Sequence, residues 1–287
     1  LSKRTQVVQT LTPATASVQD PTPSSTATNT PLPAAAWVNG EPISVEEYQA
    51  ELERYLAVLV PRPSSVRTEH KTHVIEDLTA RLLLAQAAYE AGFSLDDAAL
   101  QEKVNSIAEK AGGAQAFQDW LSANQYTADS FKNALQRDSA AAWMRDRILV
   151  SVPSLAEQVH ARQLLFFDVE RANEFYARLQ GGEKFEDLAK EAGILAGGDL
   201  GWFPRGYLLL PELDAYCFGS AQQKQLEAGE YSPVIQTQMG YHILQVVERD
   251  PQHALAPDAL LMIQSKAIND WLTERKKQST IEVTTPP

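Results

Sequence analysis

The side chains able to do chemistry are few enough in this chain to be taken one group at a time. His70 and His73 stand three residues apart with Glu69 alongside, a spacing at which side chains meet on one helix face and could clip a metal ion. They have charged neighbours and no further ligand, so the group is expected on a solvated surface and no metal site is predicted. The single cysteine, Cys217 in AspAlaTyrCysPhe (214–218), excludes an intrachain disulfide and a thiolate cluster, and reads as an ordinary buried residue. No HExxH, GxSxG or Cys–His arrangement is present. Three glycines occur in GlyGlyAspLeuGlyTrpPhe (197–203), but neither GxxxxGK[ST] nor a strand–GxGxxG–helix context accompanies them. They mark tight turns rather than a phosphate loop, and no cofactor is implied.

The elements that must position any site fall into three textures. Residues 1–35 are rich in Ser, Thr, Ala and Pro, nearly uncharged and without an aromatic residue. Such a segment buries too little apolar surface to offset the entropy of ordering it, and it reads as a disordered tether. Residues 36–152 read as almost all helical. Asn39-Gly40 signals a turn, and Ser44 with Glu47 forms a capping box for a helix running to about Val60, ended by Pro61 and Pro63. A long helix follows from about Ser65 to Ala91, with Val74, Leu78, Leu82 and Ala85 at helical spacing and Gly92 closing it. Ser94 is expected to cap the next helix, and Thr127 to open the last. Trp120, Trp143 and Trp271 are expected in helical core.

The texture changes after Pro153. Residues 159–167 and 240–248 read as strands, 169–180 and 185–192 as helices, with Gly-rich turns between, the order of a small α+β domain over 153–252. A final helix, 257–277 within a segment 255–280, carries Leu261, Ile268, Trp271 and Leu272 on one side. A lone amphipathic helix must bury its stripe, so it is expected to return to the helical domain, leaving the α+β domain inserted.

Composition excludes some partners. The net charge is −12 and no Lys/Arg stripe could neutralise phosphates, so nucleic acid and anionic lipid are unfavoured. No run approaches the roughly 18 apolar residues that cross a bilayer. Opening on Leu1 rather than Met, the chain reads as a mature or trimmed form, with membrane contact only through an anchor outside this sequence.

The ordered signatures of residues 159–250 closely resemble a parvulin (PpiC-like) domain: an "AxHIL"-like first strand, PheGluAspLeuAla (185–189), GlyGlyAspLeuGlyTrpPhe, GlyGluTyrSerProVal (229–234) and GlyTyrHisIle (240–243). The helical flanks and the ValAsnGlyGluProIleSer opening (38–44) resemble exported chaperone–foldases of the SurA and PrsA type. The fold implied is a helical chaperone-like domain completed by the C-terminal helix, with a parvulin-like α+β domain inserted.

The resemblance implies isomerisation of X–Pro bonds, in which amide resonance raises a barrier of about 18–20 kcal/mol and no covalent step is needed. A site has only to seat the proline and favour the twisted amide over the planar one. His242 matches the last-strand histidine of the family. Gln163 stands where the first-strand histidine belongs, and His160, at an odd offset, points to the other face. Gly193, Ile194 and Leu195 occupy a shortened loop where the family carries a Cys or Asp. Leu208, Leu213 and Phe218 match the apolar proline pocket, beside Trp202 and Phe203. Residues 219–225 lengthen a loop and are expected in solvent.

Three functions remain open on these residues. One is a chaperone for unfolded or nascent exported polypeptides and X–Pro segments, with weak or absent isomerase activity. The second is an active peptidyl-prolyl cis–trans isomerase, and the third a non-catalytic module of an envelope complex. The tether and the resemblance imply an extracytoplasmic location at the outer face of the cell membrane, or else a secreted or periplasmic one.

Overall fold

The computed structural model describes residues 33–61 and 65–284. The tether assigned to 1–35 lies outside them up to residue 32, as does Pro63. Strand β1 (Ala34–Val38) begins inside the segment assigned to the tether. Its alanines are small enough to lie beneath a helix, and Ala35, Ala36 and Val38 are fully buried. The chain turns at Asn39-Gly40 into antiparallel β2 (Glu41–Ser44), so the helical part opens on a hairpin.

Helix α1 (Val45–Val58) starts where the Ser44 hydroxyl accepts the Glu47 backbone N–H at 3.0 Å. Helix α2 (Thr68–Glu90) buries Val74, Leu78, Leu82 and Ala85 along one stripe. Helix α3 (Asp97–Lys110) is capped by Asp96, whose carboxylate accepts from the Ala99 N–H at 2.8 Å. The expected cap, Ser94, lies two residues too early, and the carboxylate also suits the positive end of the helix dipole. Helices α4 (Ala114–Ala123) and α5 (Ala128–Ser151) follow, the latter opened by Thr127.

Two further expectations in this part are corrected. His70 is buried against Tyr55, its Nδ1 accepting the Arg67 N–H at 3.3 Å, so it serves the start of α2 rather than a solvated surface. Trp120 is 44% exposed and covers Phe117 and Tyr126 from outside, while Trp143 and Trp271 join the packing between helices.

Strand β3 (Leu155–Phe166) leads into α6 (Val169–Gln180), α7 (Phe185–Glu191), a 3₁₀ turn at Leu195–Gly198 and β4 (Asp199–Pro204). Helix α8 (Pro211–Phe218), β5 (Ile235–Thr237) and β6 (Gly240–Ala254) complete the α+β part. The sheet is antiparallel in the order β4-β3-β6-β5. On one face Leu164, Phe166 and Ile243 pack against α6 and α7. On the other, Val159, Ala161, Leu244 and Val246 pack beneath α8. Both long strands outrun their expected spans, because Leu155 pairs with Ala254 in a ribbon whose mostly polar side chains carry little apolar periodicity.

Helix α9 (Pro257–Lys277) lays Ala267, Ile268, Trp271 and Leu272 on Leu84, Ala85 and Ala88 of α2 and Ala140, Ala141 and Ile148 of α5. The alanines let the helices approach closely. Strand β7 (Ile281–Val283) then pairs with the free side of β1, and Asn39 bonds Thr280 through both its backbone N–H and its side chain. The α+β part thus lies between two pieces of one helical part. No helix among the described residues is long and apolar enough to cross a membrane.

Candidate functional site

The sheet register brings Gln163 and His242 together. Gln163 lies opposite Leu244 and His242 opposite Leu165, making the two diagonal neighbours on adjacent strands. Both belong to the alternating set that faces α8. His242 Nδ1 lies 3.1 Å from Gln163 Oε1, and its Nε2 lies 2.9 Å from the Thr237 hydroxyl. Thr237 Oγ1 also accepts the Met239 N–H at 3.0 Å, and its one proton has a short path to His242 Nε2 and only a 3.4 Å path to the Gly240 carbonyl. The hydroxyl therefore donates to Nε2, and Nδ1–H donates to Gln163 Oε1. This is the pattern of a neutral imidazole. Burial holds the His242 pKa below the ordinary histidine value, with the Glu212 carboxylate opposing that shift more weakly. His242 itself is only 1% exposed.

Two glycines set the geometry of this cluster. Gly198 has a positive φ of 75°, and a Cβ there would sit 2.0 Å from the Gln163 carbonyl oxygen. Gly240 has φ 137°, and its Cβ would come within 2.5 Å of the Phe166 carbonyl oxygen. Each lets a turn close directly onto β3, one beside Gln163 and the other beside His242.

The apolar wall is α8. Leu213, Cys217 and Phe218 are buried against Phe203, Ile235 and Leu244, with Leu208, Tyr207 and Tyr216 partly exposed at the edge. Arginines hold the C-terminal end of this helix, satisfying carbonyls that the helix itself leaves free. Arg249 donates to the Cys217 and Leu226 carbonyls at 2.6 and 2.7 Å and pairs with Glu157 at 2.8 Å. Arg205 donates to the carbonyls of Phe218 and Gly219. The Cys217 thiol is fully buried, and burial pushes its pKa up to about 12. It is no nucleophile. The following loop closes on itself, with the Ser220 N–H donating to the Gln223 carbonyl at 2.8 Å, and its polar side chains are mostly exposed.

Of the residues singled out from sequence, the structure brings Gln163 and His242 into contact on the sheet face over which Leu213 and Phe218 pack, and sets Leu208 at the edge of that packing. Phe203 is fully buried under α8, where it supports the wall rather than meeting a ligand. Trp202 is not brought to the site. Strand alternation turns it to the opposite face, where it stacks on His253 at 4.2 Å and lies 5.6 Å from His160. His160 also faces that way and meets Asp199 at 2.7 Å. Sequence reasoning missed the part played by Thr237. Its signal was present as Thr237-Gln238-Met239-Gly240, a tight hairpin that sets a hydroxyl beside the third residue of the returning strand. Among the described residues no group of three His, Cys, Asp or Glu side chains could hold a metal ion.

Comparison with known proteins gives this arrangement a family. Residues 14–145 match the family described as SurA-like N-terminal domain, and residues 148–248 match the PPIC-type PPIASE domain. The chain is similar, part by part, to the SurA/PrsA-like chaperone–foldases that carry a parvulin-type domain. The helical part is SurA-like, and the sheet bearing Gln163 and His242 falls within the stretch that matches the PPIC-type domain. Foldase protein PrsA of Caldanaerobacter subterraneus subsp. tengcongensis is 29% identical over 73% of this chain and 71% of its own length. Foldase protein PrsA of Bacillus subtilis is 31% identical over 55% of this chain and 57% of its own. A probable parvulin-type peptidyl-prolyl cis-trans isomerase of Bordetella pertussis is 23% identical over 86% of this chain and 92% of its own.

Proposed function

We propose that this chain is an extracytoplasmic folding chaperone that binds unfolded or nascent exported polypeptides, and whose PPIC-type domain holds proline-containing segments with weak isomerase activity. The observation that carries this reading is the Thr237–His242–Gln163 chain beside the α8 wall. It keeps an apolar seat and a polar floor, but it presents an amide where an imidazole would stand. The division of labour follows the fold. Residues 36–152 with 255–280 would engage clients, and 153–252 would receive X–Pro segments at Leu208, Leu213 and Phe218. Val58, Val60 and Val150 are strongly exposed on the helical part, and such apolar side chains suit transient contact with unfolded chains. Similarity to the PrsA and SurA proteins supports placement outside the cytoplasm.

Two measurements test this. Light scattering of a refolding client with and without the protein reads the chaperone function, and suppression of aggregation is expected. NMR titration with short X–Pro peptides reads the groove, and shifts at Gln163, Leu208 and His242 are expected. Absence of both effects overturns the proposal. The intact His242–Thr237 bond favours a second reading, an efficient isomerase. Acceleration of cis–trans exchange by several orders of magnitude would establish that reading in place of the first.

A further inference from the structure

One donor in the site has no hydrogen-bond partner among the described residues. The Gln163 amide is oriented by His242, whose Nδ1–H claims its oxygen at 3.1 Å. That leaves both N–H bonds of the amide nitrogen without a partner among the described residues, on a side chain that is only partly buried. Gly198 pins the backbone of the same residue, since no side chain fits against its carbonyl. The group is thus held from both ends and offers a fixed donor on the face that carries the α8 wall.

We propose that the Gln163 carboxamide N–H is the catalytic hydrogen-bond donor of this domain, donating to the prolyl nitrogen of a bound X–Pro bond as the bond twists. The inference rests on the reading of the PPIC-type domain as an X–Pro site. In a planar amide the nitrogen lone pair is delocalised and accepts no hydrogen bond. Rotation about the C–N bond ends the delocalisation and localises the pair on nitrogen. A donor aimed at that atom stabilises the twisted state and does little for either planar isomer, which is the condition for accelerating the exchange rather than merely binding the peptide. One neutral hydrogen bond of this kind contributes about 1 kcal/mol, or about fivefold to tenfold in rate. That is modest, and it matches a weak isomerase. The donor is an amide, so it is present at every pH at which the fold survives. Thr237 and His242 act through it as positioning residues.

The test separates the donor from the acceptor on the same side chain. Gln163→Glu keeps an oxygen for His242 Nδ1–H and removes the N–H, Gln163→Met removes both at similar length, and Gln163→His restores a donor. Exchange spectroscopy on an Ala–Pro peptide reads the cis–trans rate, chemical-shift titration with the same peptide reads affinity, and circular dichroism checks the fold of each full-length variant. The expected result is a rate about fivefold to tenfold lower in Q163E and Q163M at unchanged affinity, with recovery in Q163H. A wild-type rate flat from pH 6 to 8 is also expected. Equal rates in wild type, Q163E and Q163M overturn the donor role while leaving the peptide site standing. Binding without acceleration by the wild-type protein overturns it as well. No binding of the peptide at all defeats the reading of the domain itself.

Discussion

A histidine with both ring nitrogens engaged and almost no exposure has its protonation state dictated by its surroundings. His242 is depressed below the ordinary value near 6.5 because burial penalises the cation. In the unfolded chain it takes up a proton as pH falls through about 6.5, while in the folded chain it stays neutral until its lower native value is reached. Across that window the unfolded state binds more protons, so stability falls as pH drops, by at most about 1.4 kcal/mol per pH unit, and is unaffected above it. Urea unfolding at pH 7.5 and 5.5, with an NMR titration of the ring, should show this slope, and His242→Asn should remove its share. Cys217 makes a second prediction at this scale. With its thiol raised to about 12 and its side chain sealed, a thiol reagent at pH 8 should label it only through unfolding, so the labelling rate should rise with urea as the folded fraction falls. Prompt labelling in native buffer would show that α8 opens on its own.

At the scale of elements, the turn before β4 and the end of α8 carry more than their lengths suggest. Gly198→Ala should destabilise the protein by about 3 kcal/mol or more, because it combines a left-handed backbone with a Cβ 2.0 Å from the Gln163 carbonyl. Gly197→Ala, at φ 66° with nothing within 4 Å, should cost only about 1 kcal/mol. Denaturant midpoints of the two variants check the difference, which separates close packing from backbone strain. Arg249→Met should cost about 2 kcal/mol and loosen α8, since the carbonyls of Cys217 and Leu226 lose a charged donor together. Helix α8 was also the element least visible beforehand. With eight residues it spans barely two turns, and its buried positions Leu213 and Cys217 show a single i,i+4 repeat. The long helices were legible because their stripes repeat many times. The hairpin at the start of the fold was marked only by its Asn39-Gly40 turn, since alanine-rich β1 carries little strand signal.

Among the described residues, α9 and β7 close the helical part on itself. Helix α9 covers the alanine faces of α2 and α5, and β7 completes the sheet begun at β1. Truncation after Ala254 should therefore raise amide exchange through α2 and α5 and lower their unfolding temperature. Exchange in β3 and β6 should change little, because their core is formed by α6, α7 and α8. Equal loosening of both parts would show that they unfold as one unit.

Sequence alone determined the order of parts, the periodic helices, the glycine turns and the identities of Gln163 and His242 on their strands. Those features repeat or depend on residue type at one position, so they are written locally. The tertiary structure decided what each residue meets. Register and alternation placed Trp202 behind the sheet and Thr237 beside His242. Burial turned Phe203 from a candidate contact into support for the wall. Gln163 shows the difference most plainly. Its identity was legible at once, but its free amide nitrogen became visible only when the fold brought His242 to its oxygen.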